Sequence, residues 1–256
     1  MGYYRERSLP YKPGQKTAYK LSRSKIELFT QCPRCFWLDV RLKIKRPDTP
    51  PFRINQAIDE LLKKEFDKYR KSKKPHPLMV EFDVKATPFD HDDLDQWREN
   101  FVGVFTLHEP TNLHIFGAVD DIWVNETGEL MVVDYKATAK DSDVSIDANW
   151  QVSYKRQIEV YQWLLRSNGF KVNDTGYFVY ANGRLDLDNF NDRVEFRTKI
   201  IPYTGSTDWV DKTIKQMKQC IESDKMPKVG IDIMGGPCSY CSYARSRTEL
   251  TLKHLR

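Results

Sequence analysis

Residues 113–138 read LHIFGAVDDIWVNETGELMVVDYKAT, and this stretch decides the fold of the chain. Apolar and β-branched residues on both sides of the tripeptide Glu126–Gly128 predict two strands joined by a tight turn. A three-residue loop with glycine in the left-handed conformation suits this tripeptide, and it pairs Asn125 with Glu129. The stretch therefore predicts a β-hairpin.

Acidic residues meet across this hairpin. Counting outward from the loop places Asp120 opposite Asp134, with Lys136 on the same face as Asp134. The two aspartate Cβ atoms would be about 5 Å apart, and like charges directly opposite are destabilising. A Mg²⁺ or Mn²⁺ ion, which prefers oxygen ligands, would remove that penalty. A two-residue loop would instead bring Asp121 opposite Asp134, so the register decides which aspartate could bind a metal ion.

The second strand weighs against a purely structural interpretation, in which these charges face solvent on a half-exposed hairpin. The apolar run Leu130–Val133 is continuous, which is typical of a strand buried on both faces. Asp134 and Lys136 follow directly, and buried charges need partners. The sequence therefore favours a metal site over surface charge.

Length and composition bound the class of protein. The chain has 256 residues, 40% apolar and 30% charged, as expected for one large globular domain or two small ones. A net charge of +5 permits a nucleic-acid partner without demanding one. We find no apolar run that could span a bilayer and no signal peptide, so we expect no membrane partner and a cytoplasmic location.

The cysteines suggest a second metal site. The chain has five, and a cytoplasmic chain is expected to keep them out of disulfides. Two CxxC pairs, Cys32 with Cys35 and Cys238 with Cys241, are typical of a closed four-sulfur metal site. Such a site would join an N-terminal helix to the C-terminal tail and contribute folding energy. The symmetric pairing alone favours Zn²⁺, and Cys220 is interpreted as a buried thiol.

The remaining pattern organises the chain around the hairpin. Residues 1–20 are predicted to be a polar extension, and residues 21–256 a single domain. Helices are predicted at 22–36, 54–69, 90–101, 149–167 and 207–222, and further strands at 175–180 and 193–201.

Four short motifs lie on these elements in a fixed order. They are Leu21–Phe36 with its cysteine pair, Gly117-x-x-Asp120, Val133–Lys136 and Gln157-x-x-x-Tyr161. Together they resemble the PD-(D/E)XK nuclease superfamily, in particular its RecB-like branch, which includes CRISPR-associated iron–sulfur exonucleases. The chain is also similar to a group of uncharacterised bacterial proteins. The resemblance implies an α/β fold: a restriction-endonuclease-like core, with a central mixed sheet flanked by helices and an N- and C-terminal helical region stapled by a metal on four cysteines.

The resemblance also implies roles for individual residues. Asp120 and Asp134 would hold Mg²⁺ or Mn²⁺, and Lys136 would orient the attacking water or stabilise the phosphate. Asp59 occupies the place where the branch often has a histidine ligand, and His76 is the other candidate for it. Gln157 would contact the site or the substrate, with Tyr161 in support or simply in the core.

For the cysteines, the resemblance favours a [4Fe–4S] cluster bound by Cys32, Cys35, Cys238 and Cys241. Cluster-bearing relatives usually divide their cysteines one and three between the two ends, whereas this chain divides them two and two. Arg247 stands where a last cysteine would be expected.

The function implied is that of a Mg²⁺- or Mn²⁺-dependent deoxyribonuclease. It would act as an exonuclease or on single-stranded DNA and ends, in repair or CRISPR-type processing. The alternatives are a catalytically silent DNA-binding subunit of the same fold and a metal-stapled interaction module.

Overall fold

A computed structural model describes residues 9–48, 52–232 and 235–255 of the chain. The described residues fall into two compact units. The first draws on the described parts of 1–49, 107–114 and 211–256, and the second on those of 50–106 and 115–210. The single domain predicted for 21–256 and the extension predicted for 1–20 stay predictions, and residues 1–8 lie outside the described residues.

The described chain contains both strands and α-helices, and four helices precede most of the strands. The strands are β1 (Tyr19–Ser22), β2 (Ala86–Pro88), β3 (Val104–His108), β4 (Leu113–Gly117), β5 (Asp121–Asn125), β6 (Leu130–Ala139), β7 (Thr175–Gly183) and β8 (Phe196–Thr204). The helices are α1 (Arg23–Gln31), α2 (Pro33–Leu42), α3 (Arg53–Ser72), α4 (Pro77–Glu81), α5 (Leu94–Arg98), α6 (Val152–Ser167), α7 (Asp208–Glu222) and α8 (Ser239–His254). Among these helices, none is long and apolar enough to cross a membrane.

The second unit contains a five-stranded sheet of order β2-β5-β6-β7-β8. Strands β6 and β7 are parallel, and the other neighbours are antiparallel. Helix α6 makes the crossover that a parallel pair requires, and it packs on β6, as α3 does. This mixed sheet flanked by helices confirms the predicted α/β fold.

The core of the second unit lies between α3 and the sheet. Phe66 of α3 is fully buried, and its ring stacks on Trp123 of β5 at a centroid distance of 5.5 Å. Burying an apolar side chain of this size contributes about 1.5–3 kcal/mol. Helical periodicity over 54–69 predicts an apolar face of Ile58, Leu61, Leu62, Phe66 and Tyr69. This prediction is partly wrong, because Leu61 is 63% exposed. Packing against the sheet selects a narrower stripe of α3 than helical periodicity alone suggests.

The hairpin has the register that a three-residue loop predicts. Asp121 is opposite Val133, and the Asn125 N–H donates to the Glu129 carbonyl at 3.1 Å. Gly128 has a φ of +76°, the left-handed conformation that this loop needs. Strand β6 enters the centre of the sheet, and its apolar run is buried, as predicted.

The first strand of the hairpin, however, does not run unbroken from residue 113 to residue 125. Strand β4 ends at Gly117 and belongs to a three-stranded sheet of order β1-β4-β3, whereas β5 starts at Asp121 in the five-stranded sheet. The chain bends between them where Gly103 approaches closely. A Cβ atom on Gly103 would lie 2.3 Å from the Gly117 carbonyl oxygen. Asp120 therefore lies at a joint between two sheets.

In the first unit, the helix predicted over 22–36 is wrong, because it divides into α1 and α2 at Cys32. Cys32 is extended, with a φ of −159°, and Pro33 starts α2. Proline favours an extended residue before it and is readily accommodated at the first position of a helix. The break takes Cys32 out of the helix and leaves Cys35 in the first turn of α2.

Candidate active site and cysteine cluster

Asp134 lies on β6, and its side chain is fully buried. Neither carboxylate oxygen accepts a hydrogen bond from a residue that the structure describes, although Oδ2 forms an ion pair with the Nζ of Lys136. Burial raises the pKa of Asp134; the positive charge of Lys136 opposes this rise, and the negative charge of Asp120 adds to it. A buried carboxylate with so few partners is costly, so the surroundings of Asp134 suit a bound cation.

Lys136 lies beside this carboxylate. In the parallel pair of β6 and β7 it is opposite Tyr180, and its Nζ is 4.6 Å from the centre of the Tyr154 ring. Burial alone lowers the pKa of Lys136, but the charges of Asp134 and Asp120 outweigh burial and raise it. The ammonium group is therefore charged at neutral pH. It suits the stabilisation of negative charge better than the removal of a proton.

Asp120 and Asp121 are neighbours with different surroundings. Asp120 is half-buried, and its Oδ2 accepts a hydrogen bond from the Tyr135 N–H at 2.9 Å. Asp121 is fully buried, accepts from the Tyr135 hydroxyl at 2.7 Å and forms an ion pair with Arg98 at 2.8 Å. The register that puts Asp121 opposite Asp134 is therefore wrong. Asp121 belongs to a closed network behind the site.

Helix α3 brings a further acid and a lysine toward the acidic pair. The Nζ of Lys63 donates to the Asp59 Oδ2 at 2.7 Å, one helical turn apart. Burial and the charge of Asp120 raise the pKa of Asp59, while Lys63 opposes the rise. Burial lowers the pKa of Lys63, but the charges of Asp120 and Asp59 outweigh burial and raise it. Sequence reasoning missed Lys63, although its four-residue spacing from Asp59 is a usable signal.

His76, the other candidate for the histidine position, is buried outside this group. Its Nε2 lies 2.9 Å from a Glu65 carboxylate oxygen, and its Nδ1 accepts from the Leu78 N–H at 3.1 Å. The ring also stacks on Phe66 at 4.2 Å. Both ring nitrogens therefore already have partners at the start of α4, and neither is free to take the histidine position.

Gln157 and Tyr161 share a face of α6, as predicted, and Gln157 Nε2 donates to the Tyr161 hydroxyl at 3.4 Å. Tyr161 is 3% exposed and lies in the core. It is Tyr154, one turn before Gln157, that contacts Lys136 through its ring. The functional roles of Gln157 and Tyr161 stay predictions. Tyr154 was missed because its position on the apolar stripe of the helix indicates only packing.

A second missed contact joins Gln151 to Tyr180. Gln151 is buried just before α6, and its Nε2 donates to the Tyr180 hydroxyl at 3.2 Å. Burial raises the pKa of Tyr180, which the Gln151 hydrogen bond and the charge of Lys136 oppose. This bond ties the start of α6 to β7, and so helps to hold the Tyr154 ring over Lys136.

Asp59, Asp120 and Asp134, together called the acidic site, offer oxygen donors that fit a divalent metal ion. Asp134 offers two buried oxygens that accept no hydrogen bond within the described chain, and Mg²⁺ and Mn²⁺ prefer such ligands. Asp59 could be a third ligand if its carboxylate bound the metal ion in place of Lys63. Within the described ranges, only the cysteines form a group of three or more His, Cys, Asp or Glu donors lying within 4.8 Å of one another. The acids therefore form an open, incomplete site.

The cysteine cluster lies in the first unit and brings both CxxC pairs together. The Sγ atoms are separated by 3.8 Å (Cys32–Cys241), 3.7 Å (Cys35–Cys238) and 3.6 Å (Cys35–Cys241). All five cysteines of the chain are free, and these separations are far longer than an S–S bond of about 2 Å. The predicted joining of α1 and α2 to the start of α8 through four sulfurs is thus present, and the group suits a bound metal.

The thiols of this cluster have different surroundings. Burial raises the pKa of Cys32, but hydrogen bonds from the backbone N–H groups of Cys35 and Gly230 outweigh it and lower the pKa to about 7. Burial raises the pKa of Cys35 and of Cys241. Cys220 lies outside the cluster, and burial raises its pKa to about 11, in keeping with an inert thiol.

Comparison with known proteins gives one clear relationship. The family model described as the PD-(D/E)XK nuclease superfamily matches residues 53–246. Eleven chains of solved structures are similar, among them one titled "Crystal structure of SSO0001", with 14% identity over 80% of this chain and 78% of that chain and a TM-score of 0.35. No curated protein matches.

The family match spans α3, the hairpin, α6 and the second cysteine pair, which are the segments that carry the acidic site and half of the cysteine cluster. Members of this superfamily are generally metal-dependent nucleases. The chain belongs to the PD-(D/E)XK nuclease superfamily.

Proposed function

We propose that the protein is a Mg²⁺- or Mn²⁺-dependent deoxyribonuclease. Its active site for hydrolysing DNA phosphodiester bonds contains Asp120, Asp134 and Lys136. The observation that carries this proposal is the buried Asp134 carboxylate, which no hydrogen bond within the described chain satisfies and beside which a charged lysine lies. Such an arrangement is costly as a structural feature. It is useful where a metal ion and a phosphate complete it.

The proposed roles follow from these surroundings. Asp120 and Asp134 would hold the ion, and Asp59 would be a third ligand in place of its ion pair with Lys63. When bound, Mg²⁺ or Mn²⁺ supplies water activation and neutralises charge on the phosphate. The Lys136 ammonium, held against the Tyr154 ring, stabilises the negative charge of the pentavalent phosphate. Gln157 binds the substrate backbone, with Tyr161 beneath it.

We further propose that single strands or strand ends are preferred, with exonuclease action. Trp150 is 52% exposed, and its ring packs edge-on against Tyr154 at 5.4 Å. Tyr154 in turn contacts Lys136, so the ring of Tyr154 links the exposed Trp150 to the proposed catalytic lysine. Unpaired bases stack on exposed aromatic rings of this kind. The RecB-like resemblance adds repair or CRISPR-type processing as the setting, in the cytoplasm.

A cleavage assay tests the central claim. End-labelled single- and double-stranded DNA is incubated with the protein in Mg²⁺, in Mn²⁺ and in a chelator, and Asp134→Asn is compared with Glu159→Gln. Glu159 is also a buried carboxylate, but it accepts hydrogen bonds from Tyr203 at 2.5 Å and Trp209 at 2.7 Å. We expect metal-dependent cleavage that only the Asp134 change abolishes. Cleavage by Asp134→Asn at the wild-type rate would refute the site, and DNA binding without cleavage would favour a silent subunit.

The strand preference has its own test. Trp150→Ala should raise KM for single-stranded DNA by about fivefold or more, since stacking one base is worth roughly 1–3 kcal/mol, and should leave kcat unchanged. Phe190→Ala is the matched control, because Phe190 is an exposed aromatic residue (64%) of the same unit. Equal effects of the two changes would remove Trp150 from the proposal.

A further inference from the structure

The cysteine cluster carries an inference that is independent of the nuclease activity. Its four sulfurs come from two segments that are far apart in the sequence, and Cys32, Cys35 and Cys238 are buried. All four Sγ atoms lie within 4.8 Å of one another. The separation of these atoms identifies the kind of metal centre that they can bind.

The Sγ separations match a single tetrahedral ion. With Zn–S bonds of about 2.3 Å, the edge of a regular tetrahedron of sulfurs is about 3.8 Å. Three of the six pairs in the cluster, at 3.8, 3.7 and 3.6 Å, are at this length. Four thiolates at these distances surround a space for one ion.

A [4Fe–4S] cluster, which the family resemblance favours, does not fit this arrangement. Each of its four thiolates binds a different iron atom, and a cube of iron and sulfide lies between them. The sulfurs must then lie much further apart than the edge of a one-ion tetrahedron. Two chain segments would have to separate to admit such a cluster, and the contacts around the cysteines oppose that movement.

Gly230 is one of those contacts. Its N–H donates to the Cys32 Sγ at 3.2 Å, and its carbonyl accepts from the Cys238 N–H at 2.8 Å. A Cβ atom on Gly230 would lie 2.3 Å from the Gln31 carbonyl oxygen and 2.5 Å from the Cys32 Cα. The segment before the second cysteine pair is thus packed directly on the first pair, with no room for a side chain.

Arg46 supplies positive charge to the sulfurs. Its Nη2 donates to the Cys238 Sγ at 3.4 Å, its Nη1 donates to the Gln31 side chain at 2.7 Å, and its guanidinium lies 4.5 Å from the centre of the Tyr240 ring. Four thiolates with one divalent ion carry a net charge of −2. A fixed guanidinium offsets half of it, and hydrogen-bond partners of this kind hold metal ligands in place.

We propose that the four cysteines bind one tetrahedral zinc ion, with Arg46 as a positioning residue that neutralises thiolate charge. The four thiols lose their protons to solvent when the ion binds, and no redox step is involved. The site is structural, because four protein ligands leave no position for water or substrate.

Metal analysis of the full-length chain tests the proposal. The protein is purified without oxygen from cells supplied with both iron and zinc, and zinc, iron and acid-labile sulfide are measured per chain. We expect one zinc, no iron, no sulfide and no visible absorption. Four irons with sulfide, a single iron without sulfide, or a metal-free cluster would each overturn the assignment to zinc.

The role of Arg46 is tested by the rate at which zinc is lost to a coloured chelator. Arg46→Met should release zinc about tenfold faster, as loss of a partner that holds a metal ligand typically costs 10- to 100-fold in affinity. Lys45→Met is the matched control, because it removes an adjacent and exposed positive charge. Equal release from both variants would show that Arg46 does not position the thiolates.

Discussion

The acidic site and the cysteine cluster differ in how complete each is before anything binds. In the cluster, all four donor atoms lie within 4.8 Å of one another. At the acidic site, Asp59 is paired with Lys63 and Asp134 with Lys136, and within the described ranges the three acids do not form such a compact donor group. Closed four-ligand sites are typically structural, and incomplete ones keep room for water and substrate. On the two proposals above, one metal site contributes stability and the other carries out the chemistry.

The largest effect expected from this difference is at Cys35, whose Sγ lies 3.7 and 3.6 Å from two other cysteines. Cys35→Ser should lower the free energy of unfolding by on the order of 5 kcal/mol, because a structural metal site contributes directly to folding. Cys220→Ser, outside the cluster, should change it little. Chemical denaturation of both variants measures the difference. Similar losses in both would mean that the cluster is an ordinary buried group of thiols.

Lys136→Met should have the next largest effect, on activity rather than on stability. Loss of the charge that faces the phosphate should lower kcat on the order of 10²-fold, while calorimetry should show that Mn²⁺ still binds. Lys140→Met removes a positive charge just beyond the same strand and serves as the control. A change in KM alone would assign Lys136 to substrate binding.

The acidic site should also reduce stability, in contrast to the cluster. Replacing both members of its buried pair, as in Asp134→Val with Lys136→Met, should abolish cleavage. It should also raise the free energy of unfolding by about 1–2 kcal/mol, because apolar residues of similar volume often stabilise a site where a buried ion pair stood. Thermal and chemical unfolding of the double variant measure this. A less stable double variant would show that the pair supports the fold.

The smallest predicted effect concerns Lys63. Removing it frees the Asp59 carboxylate and removes a positive charge, so Lys63→Met should tighten Mn²⁺ binding by about fivefold, the scale of a partly exposed ion pair. Lys64→Met removes the adjacent, exposed charge and should leave the Mn²⁺ Kd unchanged. Weaker Mn²⁺ binding by Lys63→Met would instead make Lys63 a supporting partner of Asp59.

Local signals in the sequence predicted much of this arrangement. Gly128 fixes a loop of three residues, and that loop fixes the register of Asp120 against Asp134. The continuous apolar run of β6 predicted a central strand, and the spacing of each cysteine pair predicted a shared site. These features depend on neighbours in sequence or on one alternating pattern, which is why they can be read without a structure.

The missed features depend on contacts between distant segments. Nothing near Tyr154 in the sequence indicates that its ring will lie over Lys136, and Gln151 reaches Tyr180 only because α6 crosses back over the sheet. The bend before Asp120 requires Gly103, which is far from it along the chain. The break at Pro33 is different, since a proline inside a predicted helix is itself a local signal of a break.

The hairpin loop has a consequence for how this protein can vary. Surface loops usually tolerate insertions and deletions. This loop lies roughly 20 Å from Asp120, at about 3.3 Å per residue of strand, yet its length decides which aspartate reaches the acidic site. Deleting one of its residues would exchange Asp120 for Asp121 and would pull an arginine-bound carboxylate out of the core. We therefore expect catalytically active homologues to vary in the sequence of this loop but to keep its length of three residues.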